Sequence, residues 1–134
     1  MKALLVDDEP PARERLAALL GEFGDVEVIG EAGDGIAALE AVERLRPELV
    51  LLDIRMPRMD GLEAARHLAS FEPTPAIVFC TAYDDHALAA FDANAVDYLL
   101  KPIRSERLRA AIDRARRFGR AALDAVADAN GAAR

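Results

Sequence analysis

The chain has little with which to build a secreted or membrane-bound protein. Its single cysteine, Cys80, excludes an internal disulfide and fits a reducing cytoplasm. Cys80 stands inside an apolar run, which suits a buried inert thiol better than a nucleophile. No apolar run approaches the roughly 18 residues a membrane span needs. Met1-Lys2 leads straight into a strand pattern, so no signal peptide is expected. Neither Gly-x-Gly-x-x-Gly nor Gly-x-x-x-x-Gly-Lys-Ser/Thr occurs, so nothing argues for a nucleotide site, and there is no internal repeat. Positive charge is also short. A net charge of −7 argues against non-specific nucleic-acid binding by this domain.

What is present is a set of apolar runs that end in chemistry. The 134 residues suit one domain, and 52% of them are hydrophobic, enough for a core. Leu49-Val50-Leu51-Leu52 reads as a strand buried on both faces, and it stops at Asp53. Pro57 and Gly61 then force a loop. Ala3 to Val6 ends in Asp7-Asp8, Ile77 to Cys80 ends in Thr81, and Leu99-Leu100 ends in Lys101. Parallel strands would bring these ends to one edge, where open α/β sheets hold their ligands. Paired carboxylates without Cys or His suit a hard cation such as Mg²⁺. Lysine and a hydroxyl suit a phosphoryl group beside it. Each residue alone has a plainer reading: a turn-capping Asp, a solvated lysine, an ordinary turn threonine.

Together the motifs are recognisable. Asp7-Asp8, Asp53 with Met56-Pro57 and Asp60-Gly61, Thr81-Ala82 and Lys101-Pro102 resemble the receiver domain of two-component response regulators, over roughly residues 1–117. The stretch from Thr81-Ala82-Tyr83-Asp84 to Tyr98-Leu99-Leu100-Lys101-Pro102 resembles more narrowly the LytTR-class, AlgR-like regulators. The resemblance implies that Asp53 is the phosphoacceptor, taking a phosphoryl group from a sensor histidine kinase in a Mg²⁺-dependent reaction. It implies metal ligation by Asp8, Asp53 and the Arg55 backbone carbonyl, with Asp7 acting by way of water. Lys101 and Thr81 would contact the phosphoryl oxygens, Thr81 and Tyr98 would form the switch, and Arg55 and Tyr83 would tune the hydrolysis rate. Pro102 would follow a cis bond. The chain would catalyse only its own phosphorylation and dephosphorylation, in the cytoplasm.

The fold expected is α/β: a flavodoxin-like, doubly wound, five-stranded parallel sheet of order 2-1-3-4-5 with five helices. Strands are expected over residues 2–6, 26–31, 49–52, 76–80 and 96–100. Pro10-Pro11 can open the first helix, with Leu16, Leu19 and Leu20 inward and Arg13, Glu14 and Arg15 outward, closed by Gly21 and Gly24. Asp34 can cap the second helix, with Ala38, Leu39, Val42 and Leu45 as its stripe. Leu62, Ala65, Leu68 and Ala69 mark the third. The fourth is expected near residues 84–93. Ser105 can cap the fifth, with Leu108, Ala111, Ile112 and Ala115 inward. The receiver would occupy residues 1–118. Residues 119–134 would either extend the last helix or begin a linker to an output domain that lies beyond this chain and binds DNA.

Six arginines between Arg104 and Arg117, against Glu106 and Asp113, make the last helix basic on an acidic body. Arg107, Arg109, Arg114 and Arg116 could meet Asp92 and Asp97 of a second copy, giving a homodimer through the fourth helix, fifth strand and fifth helix. A solvated helix face is the plainer reading. Two other functions compete. A haloacid-dehalogenase-like Mg²⁺ phosphohydrolase would need an acid two residues after the nucleophile, where Arg55 stands. A stand-alone receiver acting by protein–protein interaction is the third reading.

Overall fold

A computed structural model of the chain describes residues 1–83 and 94–132, with side chains as far as residue 121. The strands are β1 (Lys2–Val6), β2 (Glu27–Ala32), β3 (Leu49–Leu52), β4 (Ala76–Thr81) and β5 (Asp97–Leu100). They form one parallel sheet of order β2-β1-β3-β4-β5. Among the described residues there are four helices: α1 (Pro10–Phe23), α2 (Gly35–Leu45), α3 (Gly61–Leu68) and α4 (Ser105–Ala132). The helix expected near residues 84–93 lies outside the described residues.

The central strands are apolar throughout because both faces are covered. Alternate residues serve opposite cores. Leu4, Val6, Val50, Leu52, Ile77 and Phe79 pack with α2 and α3. Ala3, Leu5, Leu49, Leu51, Val78 and Cys80 pack with Leu16 and Leu20 of α1 and with Leu108, Ala111, Ile112 and Ala115 of α4. Each fully buried Leu or Ile in these layers is worth about 1.5–3 kcal/mol relative to exposure, so the two layers dominate stability.

Several boundaries differ from the sequence reading. β2 starts at Glu27, and α1 runs through Gly21 to Phe23 with Gly24 at its C-cap. Leu19 is only partly buried, and in α3 Ala64 takes the inward place expected of Ala69, which is exposed beyond the helix end. Ser105 is itself helical; Leu108 N–H donates to the Arg104 carbonyl at 2.9 Å, so Arg104 flanks the helix. At the tail, α4 continues across Gly119 to Ala132.

Candidate functional site

Sheet register sets the site. Val6 pairs with Leu52, and Asp53 N–H extends the ladder to the Val6 carbonyl at 2.9 Å. The residues after β1 and β3, Asp7-Asp8 and Asp53, therefore leave the sheet side by side. Carboxylate oxygens of Asp7, Asp8 and Asp53 all lie within 4.8 Å of one another. Thr81, the last residue of β4, is fully buried, and its carbonyl accepts from Lys101 N–H at 2.8 Å just past β5.

Lys101 turns back across the strand ends. Its Nζ lies 2.7 Å from Asp7 Oδ2 and 3.3 Å from Asp53 Oδ2. The Lys101–Pro102 peptide bond is cis, as is Glu72–Pro73. Burial alone would lower the Lys101 ammonium, but the Asp7 hydrogen bond and the charges of Asp53 and Asp7 hold it above its ordinary value. Asp53 is pushed up by burial, against the Lys101 charge and with Asp7 adding to the rise. Asp53 Oδ1 accepts from Ile54 N–H at 2.8 Å, leaving Oδ2 toward the lysine.

The loop after Asp53 needs a close backbone approach. Gly61 N–H donates to the Ile54 carbonyl at 2.7 Å, and a Cβ on Gly61 would collide with the Asp53 carbonyl. Asp60 then caps α3 by accepting from Glu63 N–H at 2.9 Å. This loop also carries Arg55. The Arg55 guanidinium carbon sits 3.7 Å from the centroid of the Tyr83 ring. Tyr83 N–H reaches Thr81 Oγ1 at 3.4 Å, and the Tyr98 hydroxyl donates to the Tyr83 carbonyl. Tyr98 is partly buried, with its ring centroid 6.5 Å from that of Phe79. Arg55, Tyr83, Thr81 and Tyr98 thus form one connected chain of contacts.

Arg13 was expected to face outward, and it does not. Its Nη1 donates to the Asp7 carbonyl at 2.6 Å and its Nε to Glu31 Oε1 at 2.8 Å, tying α1 to the ends of β1 and β2. Asp7 Oδ1 accepts from Glu9 N–H at 2.9 Å. The only sequence signal for Arg13 was its place in the first turn after the acid pair. Asp97 also departs from expectation. It is buried, and its oxygens accept from Arg107 at 2.7 and 2.8 Å, with Arg114 3.1 Å away. Arg109 and Arg116 both pair with Asp25. The four arginines offered to a second copy are thus engaged within the chain. Asp92 lies outside the described residues.

Cys80 is buried and its thiol is pushed up to about 12 by burial, which removes it as a nucleophile. No helix among the described residues is long and apolar enough to cross a membrane.

Residues 3–113 match the family model described as the response regulator receiver domain. The positive alginate biosynthesis regulatory protein of Pseudomonas aeruginosa is 50% identical over 127 residues, 94% of this chain and 51% of that protein. The transcriptional regulatory protein BtsR of Escherichia coli K12 is 47% identical over 116 residues, 87% of this chain and 48% of that protein. The chain spans about half the length of the curated relatives it matches. Among solved structures, the response regulatory domain of mrkE from Klebsiella pneumoniae aligns with a TM-score of 0.79 at 32% identity, covering 92% of this chain and 99% of that one. The signal receiver domain of the response regulator NarL from Mycobacterium tuberculosis aligns with a TM-score of 0.79 at 36% identity, covering 86% and 95%.

Proposed function

The chain belongs to the response regulator receiver domain family, and on that premise we propose that Asp53 accepts a phosphoryl group from a sensor histidine kinase. The observation that carries this is Lys101 Nζ standing between Asp7 and Asp53 beside the exposed carboxylate of Asp8. A lysine held there is positioned to meet phosphoryl oxygens added to Asp53 Oδ2.

Three carboxylates and no softer ligand are the donor set of a hard divalent cation, so the residues fit Mg²⁺. Asp8, Asp53 and the Arg55 carbonyl would hold it, with Asp7 by way of water. When bound, such a cation neutralises charge on the transferring group. The rest falls to the chain. Asp53 Oδ2 attacks the phosphorus of the donor, its bond to the leaving group breaks, and an aspartyl phosphate remains. Lys101 steadies the phosphoryl oxygens as a compact charge, and the Thr81 hydroxyl donates to one of them. Ala82 adds no bulk beside it.

The added phosphoryl group brings about two negative charges. Thr81 moving toward it would alter the Tyr83 and Tyr98 contacts, biasing a two-state surface around β5 and α4. A homodimer formed through the segment of residues 84–93, β5 and α4 fits this reading. Support comes from the exposed side chain of Leu100 on β5, the edge strand of the sheet. The output is control of transcription through a LytTR-type DNA-binding domain, in the cytoplasm. Two relatives named as regulatory proteins, each about twice as long as the matched region, support this.

Labelling with acetyl phosphate tests the reading. Stable, Mg²⁺-dependent label on Asp53 is expected. Label that turns over as fast as it forms would favour a phosphohydrolase, and no label would favour a passive interaction module.

A further inference from the structure

The loop from Ile54 to Asp60 carries Arg55, and one backbone hydrogen bond, Met59 N–H to the Pro57 carbonyl at 2.8 Å, lies within it. Arg58 adopts a left-handed backbone, φ 67°, a conformation that costs a non-glycine residue free energy. Arg58 is also held from outside the loop. The holder is the start of α2. Arg58 Nε donates to Asp34 Oδ2 at 3.2 Å, and Nη2 donates to the same oxygen more closely. Asp34 is buried, and its other oxygen, Oδ1, accepts from Ala37 N–H at 2.9 Å as the N-cap of α2. Beside this pair, Gly35 N–H donates to the Met59 carbonyl at 3.0 Å. A Cβ on Gly35 would come within 2.5 Å of that carbonyl, so the close approach depends on glycine.

We propose that Asp34 and Arg58 form a latch that positions the phosphoacceptor loop, acting through the backbone of Arg55. Both are positioning residues. The inference rests on the reading of Asp53, Asp8 and the Arg55 carbonyl as the cation site. Geometry sets the division of labour. Gly61 pins the Ile54 end of the loop from one side, and the latch pins Arg58 and Met59 from the other. Arg55 lies between these anchors, so its carbonyl direction follows from them. A role in stability alone is a poor account of the pair, because the Arg58 side chain is 62% exposed and exposed ion pairs add little. Asp34 also has two separable duties. Asn caps helices as well as Asp does, so Asp34→Asn keeps the cap while removing the charge that holds Arg58.

Calorimetric titration of the full chain with Mg²⁺ alone, together with melting in the absence of the cation, is the test. Arg58→Ala and Asp34→Asn should each weaken Mg²⁺ binding by roughly tenfold, the low end of what loss of an outer partner costs a cation site. Arg58→Lys should recover part of the affinity. Melting temperatures without the cation should stay close to that of the unaltered chain. Unchanged Mg²⁺ affinity in Arg58→Ala would overturn the latch, provided Asp8→Asn abolishes binding. A melting temperature that falls in step with affinity, without rescue by lysine, would also overturn it, because the pair would then be structural only. If the unaltered chain fails to bind Mg²⁺, or Asp8→Asn binds normally, the cation-site reading fails and the latch falls with it.

Discussion

Arg55 lies over the ring of Tyr83, its guanidinium carbon 3.7 Å from the ring centroid, so that one side chain covers the other. Arg55 comes from the loop after β3 and Tyr83 from the segment after β4, so the cover spans two strand ends. Water attacking an aspartyl phosphate must approach the phosphorus in line, opposite the bond to Asp53. A stacked cation and ring standing on that line would crowd the approach. The aspartyl phosphate is therefore expected to last for many minutes at neutral pH. Arg55→Ala and Tyr83→Ala should each shorten its lifetime several-fold. Because the stack is shared, the double variant should lose less than the product of the two factors. Decay of isotopic label from purified protein measures this, and loss within seconds in the unaltered chain would contradict it.

Asp53→Asn is expected to abolish phosphoryl uptake and leave the fold in place. The substitution keeps the volume and the Oδ1 contact to Ile54 N–H, and it removes the nucleophilic oxygen. It also removes one of two carboxylates facing Lys101, but the shorter Asp7 contact at 2.7 Å survives. Acetyl phosphate labelling with circular dichroism as control checks it. Uptake at the normal rate would mean that another residue is the acceptor.

How much of this was legible in the sequence depends on the range of the interaction. Leu49 to Leu52 and Ala3 to Val6 announced buried parallel strands because both faces must be apolar, a property of single residues in a row. Their shared edge followed from parallel strands, and so the meeting of Asp7, Asp8, Asp53 and Lys101 was readable. The contacts of Arg13, Arg58 and Asp97 were not. Arg58 finds Asp34 across 24 residues, and Arg107 finds Asp97 only through the angle at which α4 crosses β5. Periodicity says which face of a helix is apolar. It does not say which polar side chain reaches which neighbour, so Arg13 was placed in solvent and the arginines of α4 were offered to a second copy.

Mg²⁺ is expected to raise the melting temperature, because it would bind only the folded arrangement of carboxylates. At a free concentration ten times its Kd the stabilisation is about 1.4 kcal/mol, a rise of a few degrees for a domain of this size. Lys101 already offsets part of the repulsion among the three acids, with Nζ touching two of them. Lys101→Met should therefore melt lower without Mg²⁺ and gain more from it than the unaltered chain does. Thermal scans across a Mg²⁺ series decide the matter; an equal or smaller gain in Lys101→Met would show that the lysine does not relieve the acid cluster.

The last prediction concerns Asp97 and pH. Burial pushes this carboxyl up, but hydrogen bonds from Arg107 and from Tyr98 N–H, with the charges of Arg107 and Arg114, outweigh burial and hold it below its ordinary value of 3.8. A depressed carboxyl contributes stability that is fully present above its unfolded-state value and is lost as pH falls through the folded one. The contribution should then be complete at neutral pH and fade only below roughly pH 5, as the unfolded form begins to take up protons. Asp97→Asn removes the charge and keeps the shape. Its cost at pH 7 should be about 1–2 kcal/mol, at the modest end for hydrogen bonds to a charged group, because both guanidinium groups are about half exposed and solvent screens them. Since the pair ties β5 to α4, the loss falls on the surface through which the switch would act. Denaturant unfolding of both proteins from pH 7 to pH 3 gives the comparison. The gap should stay constant down to about pH 5 and narrow below it. A gap that widens on acidification would reverse the sign and exclude a depressed Asp97, and no gap at pH 7 would mean that the arginines contribute nothing there.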